Sequence, residues 1–363
     1  MCKKLFVAAT GQNCGKTTIS VSLMHLARRK YGRVGFMKAI GPKCVTFNSV
    51  PMDKDAVLMA QLYGLEEDCR LMSPVVLTKG STKRFIDGEL ASDAAVEKLR
   101  EACRELEAKN DFLIIEGAGH GGVGSVIGLN NAQVAKLLDA PVVMVAGGGI
   151  GNVIDSVRLN LGLYEREGAA LRMLLVNKLI PEKRGSSLGY LQKAFAGSGI
   201  RVAGAFDYSP ILANPTLQNL ARRLGQPLRG DLAQQHRIAH HIQLGAASSQ
   251  VVIDGLQNST LLITTSSRDE LLVTTASLYH IPAYRDKIAG LVIPGHTAIS
   301  AVTQKILDES GVPYIRIEET TAQVFTKLLD HVSKITADDH EKLELLQSTA
   351  ETYLDFAAID ALL

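Results

Sequence analysis

Residues 5–27 read LFVAATGQNCGKTTISVSLMHLA. The apolar run at 5–9 has the length and composition of a buried strand, and the stretch from residue 17 onward reads as a helix. Between them lies a loop in which Gly11 and Gly15 enclose Gln12, Asn13 and Cys14. Glycines let backbone N–H groups converge on an anion, and the N-terminus of the following helix adds its partial positive charge. In such a loop Lys16 reaches the outer phosphates of a nucleoside triphosphate, the Thr17 hydroxyl ligates magnesium, and Thr18 follows in the first helical turn. The general spacing GxxxxGK[ST] puts its first glycine at residue 10, where this chain has Thr10 followed by Gly11. A glycine-rich turn with an exposed lysine is the plain alternative; the strand before and the helix after weigh against it.

Outward from the loop, short apolar runs alternate with longer amphipathic stretches. The runs are LFVAA (5–9), VGFM (34–37), FLIIE (112–116), PVVMVA (141–146), MLLVN (173–177) and RVAGAF (201–206). Continuous apolar runs separated by helix-length segments predict a mostly parallel sheet covered on both faces, an α/β fold. Helices are predicted over 17–30, 93–109 and 152–161. The polar stretch 216–236 reads as a helix followed by a linker. A second alternation follows, with runs LLITT (261–265), IAGLVIP (288–294) and VPYIRI (312–317) and helices over 269–278, 299–309 and 322–329. The expected domains are 1–225 and a smaller α/β domain over 232–363, both within the usual size range.

Composition narrows the function classes. The 363 residues carry a net charge of +2 with acids and bases intermixed, so no basic footprint for nucleic acid is expected. Every apolar run is interrupted well before the ~20 residues a membrane span needs, so no membrane partner is expected. The N-terminal run is too short before the glycine loop for a signal peptide, which predicts a cytoplasmic protein. The five cysteines (Cys2, Cys14, Cys44, Cys69 and Cys103) never form a CxxC pair, so neither disulfides nor zinc are expected. Cys14, beside a helix N-terminus, is read either as a redox-sensitive thiol or as a filler.

The loop TGQNCGKTT, with VGFMK, MDKDAVLM, FLIIEGAG and VNK downstream, resembles the dethiobiotin synthetase group of P-loop proteins, which includes cobyrinic acid amide synthases and partitioning ATPases. Residues from about 232 onward resemble the DRTGG domain. The two in this order resemble the N-terminal, non-catalytic part of long bacterial phosphotransacetylases, and stand-alone proteins of the same two domains. The resemblance implies roles for particular residues. Lys38 matches a lysine placed over the γ-phosphate and substrate. Asp55, rather than Asp53, matches a magnesium ligand, and Glu116 the carboxylate that completes the metal shell. Asn177 matches a purine-contacting asparagine. Lys16, Lys38 and Glu116 are thus the candidate catalytic residues. Hard oxygens from Thr17, Asp55 and Glu116 suit magnesium, and a lysine at a strand end suits a transferring phosphoryl group.

Plain readings stand beside these. Lys38 could be a surface lysine, Asp53 the N-cap of the helix after it, and Asn177 a turn cap. Gly117, Gly119, Gly121, Gly122 and Gly124 read as a substrate loop or a long turn, Gly147–Gly149 with Gly151 as an anion-tolerant turn, and Asp155 as part of a solvated face. Relatives have proline where this chain has Asp207, in the segment lining the purine pocket. The implied ligands are therefore ATP, with GTP left open, and magnesium; a homodimer is the expected assembly.

The resemblance implies two functions. One is a nucleotide-dependent regulatory or sensor module. The other is an ATP-dependent synthetase that activates a carboxylate or carbamate, taking a small carboxylate as substrate or effector. Phosphate acetyltransferase activity is not expected, because the chain ends where the catalytic domain of the long enzymes begins. In the second domain Arg268 follows Ser267 where the family has an acid, and Pro294-Gly295-His296 stands in place of Thr-Gly-Gly. Arg268 is read as an anion contact or a structural ion pair, and Lys334, Asp339 and Lys342 resemble the family's closing helix. His236, His240 and His241 are read as lying on or beside a strand, without metal.

Overall fold

The computed structural model describes residues 2–329 and 334–363. It divides into two compact units, one of residues Met1–Tyr208 with Leu343–Leu363, the other Ser209–Lys342.

In the first unit six strands are built from the six apolar runs: β1 (Lys3–Ala9), β2 (Val34–Lys38), β3 (Phe112–Glu116), β4 (Val142–Gly147), β5 (Leu171–Leu179) and β6 (Arg201–Asp207). They form one sheet in the order β6-β5-β4-β1-β3-β2, and every pairing is parallel. Helices cover both faces, so the strands can be apolar along their length: Leu5 to Ala9 and Phe112 to Ile115 are all fully buried. The covering helices are α1 (Lys16–Lys30), α2 (Lys54–Tyr63), α3 (Ser92–Lys109), α4 (Asn131–Leu137), α5 (Ile150–Glu167) and α6 (Arg184–Phe195). On α3 the buried residues Ala95, Leu99, Ala102, Cys103 and Leu106 recur at helical spacing and make one apolar stripe. Helix α5 runs well past its expected end at residue 161 and stops at Gly168, which takes a left-handed φ of 68°.

Because the chain goes from β1 over β3 to β2, then from β3 over β1 to β4, the strand order reverses around β1. In open parallel sheets that reversal opens a crevice at the carboxyl ends of the strands. The loop at 10–15 leaves β1 at that point. Between β2 and α2 the chain inserts an antiparallel hairpin, Cys44–Phe47 with Val50–Asp53.

The second unit has a five-stranded sheet of β7 (Leu228–Arg229), β8 (His241–Leu244), β9 (Thr260–Ile263), β10 (Ile288–Pro294) and β11 (Tyr314–Ile317), ordered β7-β11-β10-β9-β8. All pairings are parallel except the short β7, which runs antiparallel to β11. Helix α7 (Leu217–Leu224) belongs here. Thr216 caps it, and Leu217, Leu220, Ala221 and Leu224 bury one face in this unit's core, worth about 1.5–3 kcal/mol for each leucine.

The compact units differ from the expected 1–225 and 232–363 in two places. Helix α7, expected as the last helix of the first domain, is committed by its apolar stripe to the second core. The segment Leu343–Leu363 returns to the first unit. There Asp360 accepts hydrogen bonds from Lys30 and Tyr31 and pairs with Lys3 at 3.0 Å, Glu351 bonds His25 and Arg29, and Leu354 bridges Gly204. No helix among the described residues is long and apolar enough to cross a membrane.

Candidate functional site

The loop after β1 is held in one conformation. Asn13 and Gly15 both take positive φ, 59° and 96°. Asn177, near the end of β5, donates from Nδ2 to the Cys14 carbonyl at 2.9 Å and accepts from the Lys178 amide. Lys178, itself at φ 61°, donates to the Asn13 carbonyl at 2.8 Å. A Cβ on Gly15 would lie 2.0 Å from Asn177 Nδ2, so glycine is required both by the turn and by this neighbour. The loop closes onto α1 with Gly15 at its N-cap, and the first amides of that helix lack intrahelical partners. The Cys14 thiol sits 3.6 Å from the Thr10 hydroxyl.

Lys16 is buried, and its Nζ donates to the Gly119 carbonyl at 2.5 Å. Burial lowers its pKa, opposed by the nearby Glu116 carboxylate. Lys38, at the end of β2, is buried as well, which excludes the surface-lysine reading. Its Nζ donates to Asp55 Oδ2 at 2.9 Å, Glu116 Oε1 at 2.6 Å and the Gly117 carbonyl at 3.1 Å. Burial pulls the Lys38 pKa down, but Glu116 and Asp55 outweigh it and hold the ammonium strongly charged. Asp53 caps α2: its carboxylate accepts from the amides of Asp55 and Lys43. Burial and the Asp55 carboxylate raise its pKa, against Lys38 and these two hydrogen bonds. That cap turns the first turn of α2 so that Asp55, not Asp53, meets Lys38.

The glycine segment after β3 is braced rather than open. Asn131 accepts from the Ala118 amide and donates to the carbonyls of Ala118 and His120. Asn160 accepts from the Gly121 amide and donates to the Thr10 carbonyl, tying this segment to the start of the phosphate loop. Asn131, Asn160 and Lys178 are not among the residues expected from sequence. Their one signal is polarity where apolar periodicity predominates, as in LNLGL around Asn160. Asp155 is exposed on α5, on the solvated face.

Magnesium needs hard oxygen donors. The side chains here supply them: Glu116 is fully buried, and its Oε2 has no hydrogen-bond partner, a costly state that a cation or its water would relieve. The residues fit the ion.

In the second unit Arg268 donates to the carbonyls of Gly245 and Ala247 and pairs with Glu270, an internal structural role. Gly295, with φ 129°, lies against the Ser266 hydroxyl. Lys342 donates to the Asn214 carbonyl and Asp339 accepts from the Thr336 amide. His240 contacts Asn214, the His236 and His340 rings lie tilted at 57° with centroids 6.1 Å apart, and no group of three or more His, Cys, Asp or Glu side chains that could hold a metal ion occurs among the described residues.

A parallel sheet reversing at β1, with a glycine loop, Lys16 and Thr17 at the crevice, defines a P-loop nucleotide-binding protein. The chain belongs to the family described as AAA domain, whose model matches residues 3–216, and a DRTGG domain matches residues 219–330. Among curated proteins, it is 24% identical to the phosphate acetyltransferase of Pseudomonas putida over 97% of this chain and 50% of that one. It is 28% identical to the ATP-dependent dethiobiotin synthetase BioD of Pseudomonas aeruginosa over 48% of this chain and 77% of that one. The chain thus spans about half the length of the phosphate acetyltransferase it matches. Among solved structures, MinD of Aquifex aeolicus matches with a TM-score of 0.36 at 15% identity, covering 58% of this chain and 84% of that one. The CBS and DRTGG domains of a Clostridium perfringens pyrophosphatase match with a TM-score of 0.27 at 13% identity, covering 47% and 85%.

Proposed function

We propose that the protein binds ATP with magnesium and works as a nucleotide-dependent regulatory or sensor module. The carrying observation is the convergence of Lys16, Lys38, Asp55 and Glu116 at the carboxyl ends of β1, β2 and β3, beside a glycine loop held by Asn177 and Lys178. Thr17, Asp55 and Glu116 would hold magnesium, which when bound neutralises charge on the outer phosphates. The amides of α1 and Lys16 grip the phosphates, and Lys38 faces the terminal one. Asn177, on this reading, supports the loop through Cys14 while flanking the base. Binding draws Lys16 away from Gly119, so the segment 117–124 senses occupancy.

A second reading, an ATP-dependent synthetase acting on a carboxylate or carbamate, is favoured by one observation: Lys38 is a buried cation at the crevice, where an ammonium can stabilise a transferring phosphoryl group. Calorimetry with ATP and with GTP, each with and without magnesium, tests the shared claim. Steady-state hydrolysis with a panel of carboxylic acids and diamines separates the readings. Stimulation by one acid with an ADP-linked product selects the synthetase; tight binding with unstimulated turnover selects the module. Absence of binding to either triphosphate refutes both.

A further inference from the structure

Lys38 Nζ lies within hydrogen-bond distance of both carboxylates that would hold a metal, taking Asp55 Oδ2 at 2.9 Å and Glu116 Oε1 at 2.6 Å. The three side chains are withdrawn from water, with Lys38 2%, Glu116 0% and Asp55 8% exposed. We infer that Lys38 is the resident counter-ion of the Asp55–Glu116 pair and bars a divalent cation from it until a nucleoside triphosphate enters. The metal residues themselves rest on the nucleotide reading above; the bar is read without nucleotide.

The argument is one of charge and crowding. A dication placed between these acids would share their oxygens with an ammonium a few ångströms away, where water cannot screen the repulsion. One oxygen of each acid, Asp55 Oδ2 and Glu116 Oε1, already accepts from Lys38. A triphosphate changes both conditions. It brings several negative charges to the pocket and offers the ammonium a phosphate oxygen in exchange for the carboxylates. Lys38 stands at the end of a strand on a flexible four-carbon stem, which lets its ammonium turn from the carboxylates and the Gly117 carbonyl toward a phosphate oxygen. Metal and nucleotide then enter together, and Lys38 is delivered to the terminal phosphate by the same step.

The test titrates Mn2+ alone, followed by electron paramagnetic resonance, into the full chain without nucleotide. Wild type is expected to show no saturable site at micromolar Mn2+. Lys38→Met is expected to gain one site per chain, at least tenfold tighter than any in wild type, and Lys38→Met/Glu116→Gln to lose it. Circular dichroism and thermal melting verify folding; if Lys38→Met does not fold, Lys38→Gln, which keeps polar contacts to the acids, takes its place with the same expected gain. Equal Mn2+ affinity in wild type and the folded variant overturns the inference, whether both bind or neither does. Failure of the nucleotide reading is distinguishable, because it appears as absent triphosphate binding by wild type and leaves the nucleotide-free Mn2+ comparison intact.

Discussion

Lys38 and Glu116 stand opposite one another in register on adjacent parallel strands, and their side chains meet at 2.6 Å. The backbone ladder fixes both Cα positions, so the sheet itself sets this buried ion pair. Removing Glu116 leaves Lys38 withdrawn from water with Asp55 as its remaining carboxylate partner and breaks the closer of its two ion pairs. Glu116→Ala is expected to cost about 3–5 kcal/mol in urea unfolding. Glu116→Gln, which keeps an acceptor for Lys38, should cost less while abolishing the magnesium dependence of nucleotide binding; an equal loss of affinity with and without magnesium would remove the metal role.

Lys16→Ala tests the phosphate grip. A charge-assisted hydrogen bond is worth about 1.5–3 kcal/mol, so ATP affinity should fall at least about tenfold by calorimetry. Unchanged affinity would refute the central claim.

Gly15→Ala places a methyl group where Asn177 Nδ2 stands 2.0 Å away, in a backbone conformation with φ 96°. The strain alone costs about 1–3 kcal/mol, and the loop loses its brace to Asn177. Nucleotide affinity should drop with stability. In a double-mutant cycle, Asn177→Ala should recover part of the Gly15→Ala loss, since it removes the clashing amide; strict additivity would show that the two do not interact.

Asp360 gives a pH signature. Burial works against its ionisation, but hydrogen bonds from Lys30, Tyr31 and Lys3 outweigh it and bring its pKa from 3.8 down to about 2. A carboxyl held lower in the folded chain than in the unfolded one contributes stability fully above about pH 4, and that contribution is lost as pH falls toward 2. Asp360→Asn should therefore lower the melting temperature at neutral pH and flatten its decline between pH 4 and pH 2. A variant that melts in parallel with wild type across that window would show the carboxylate to be uninvolved.

The six strands of the first sheet and β9, β10 and β11 of the second were legible because each is a dense apolar run, and the phosphate loop because its glycines and lysine have few other uses; β7, two residues inside the stretch read as a linker, carries no such run. Asp55 and Glu116 were legible only through family resemblance; nothing local distinguishes Asp55 from Asp53 until the cap on α2 is seen. Asn131 and Asn160 escaped because their partners lie in distant loops, and a polar residue in a helix says nothing of what it will bond. The role of α7 was hidden for a related reason. Its composition is polar, and four positions decide where it packs. Least legible was the return of residues 343–363 to the first unit, since an amphipathic terminal segment carries no mark of which core it completes.

That return has a consequence for how the molecule is made. The last contacts to Lys3, Lys30 and Tyr31 come from Asp360, so the first unit is discontinuous in sequence. During synthesis the phosphate loop and its sheet leave the ribosome early, yet the clasp on the far end of α1 is not translated until the second unit has been made. Domains ordinarily fold in order of their emergence. Here the earlier one has its whole sheet in hand but waits for its closing segment, and a chain interrupted anywhere in the second unit lacks the contacts that Asp360 makes to Lys3, Lys30 and Tyr31.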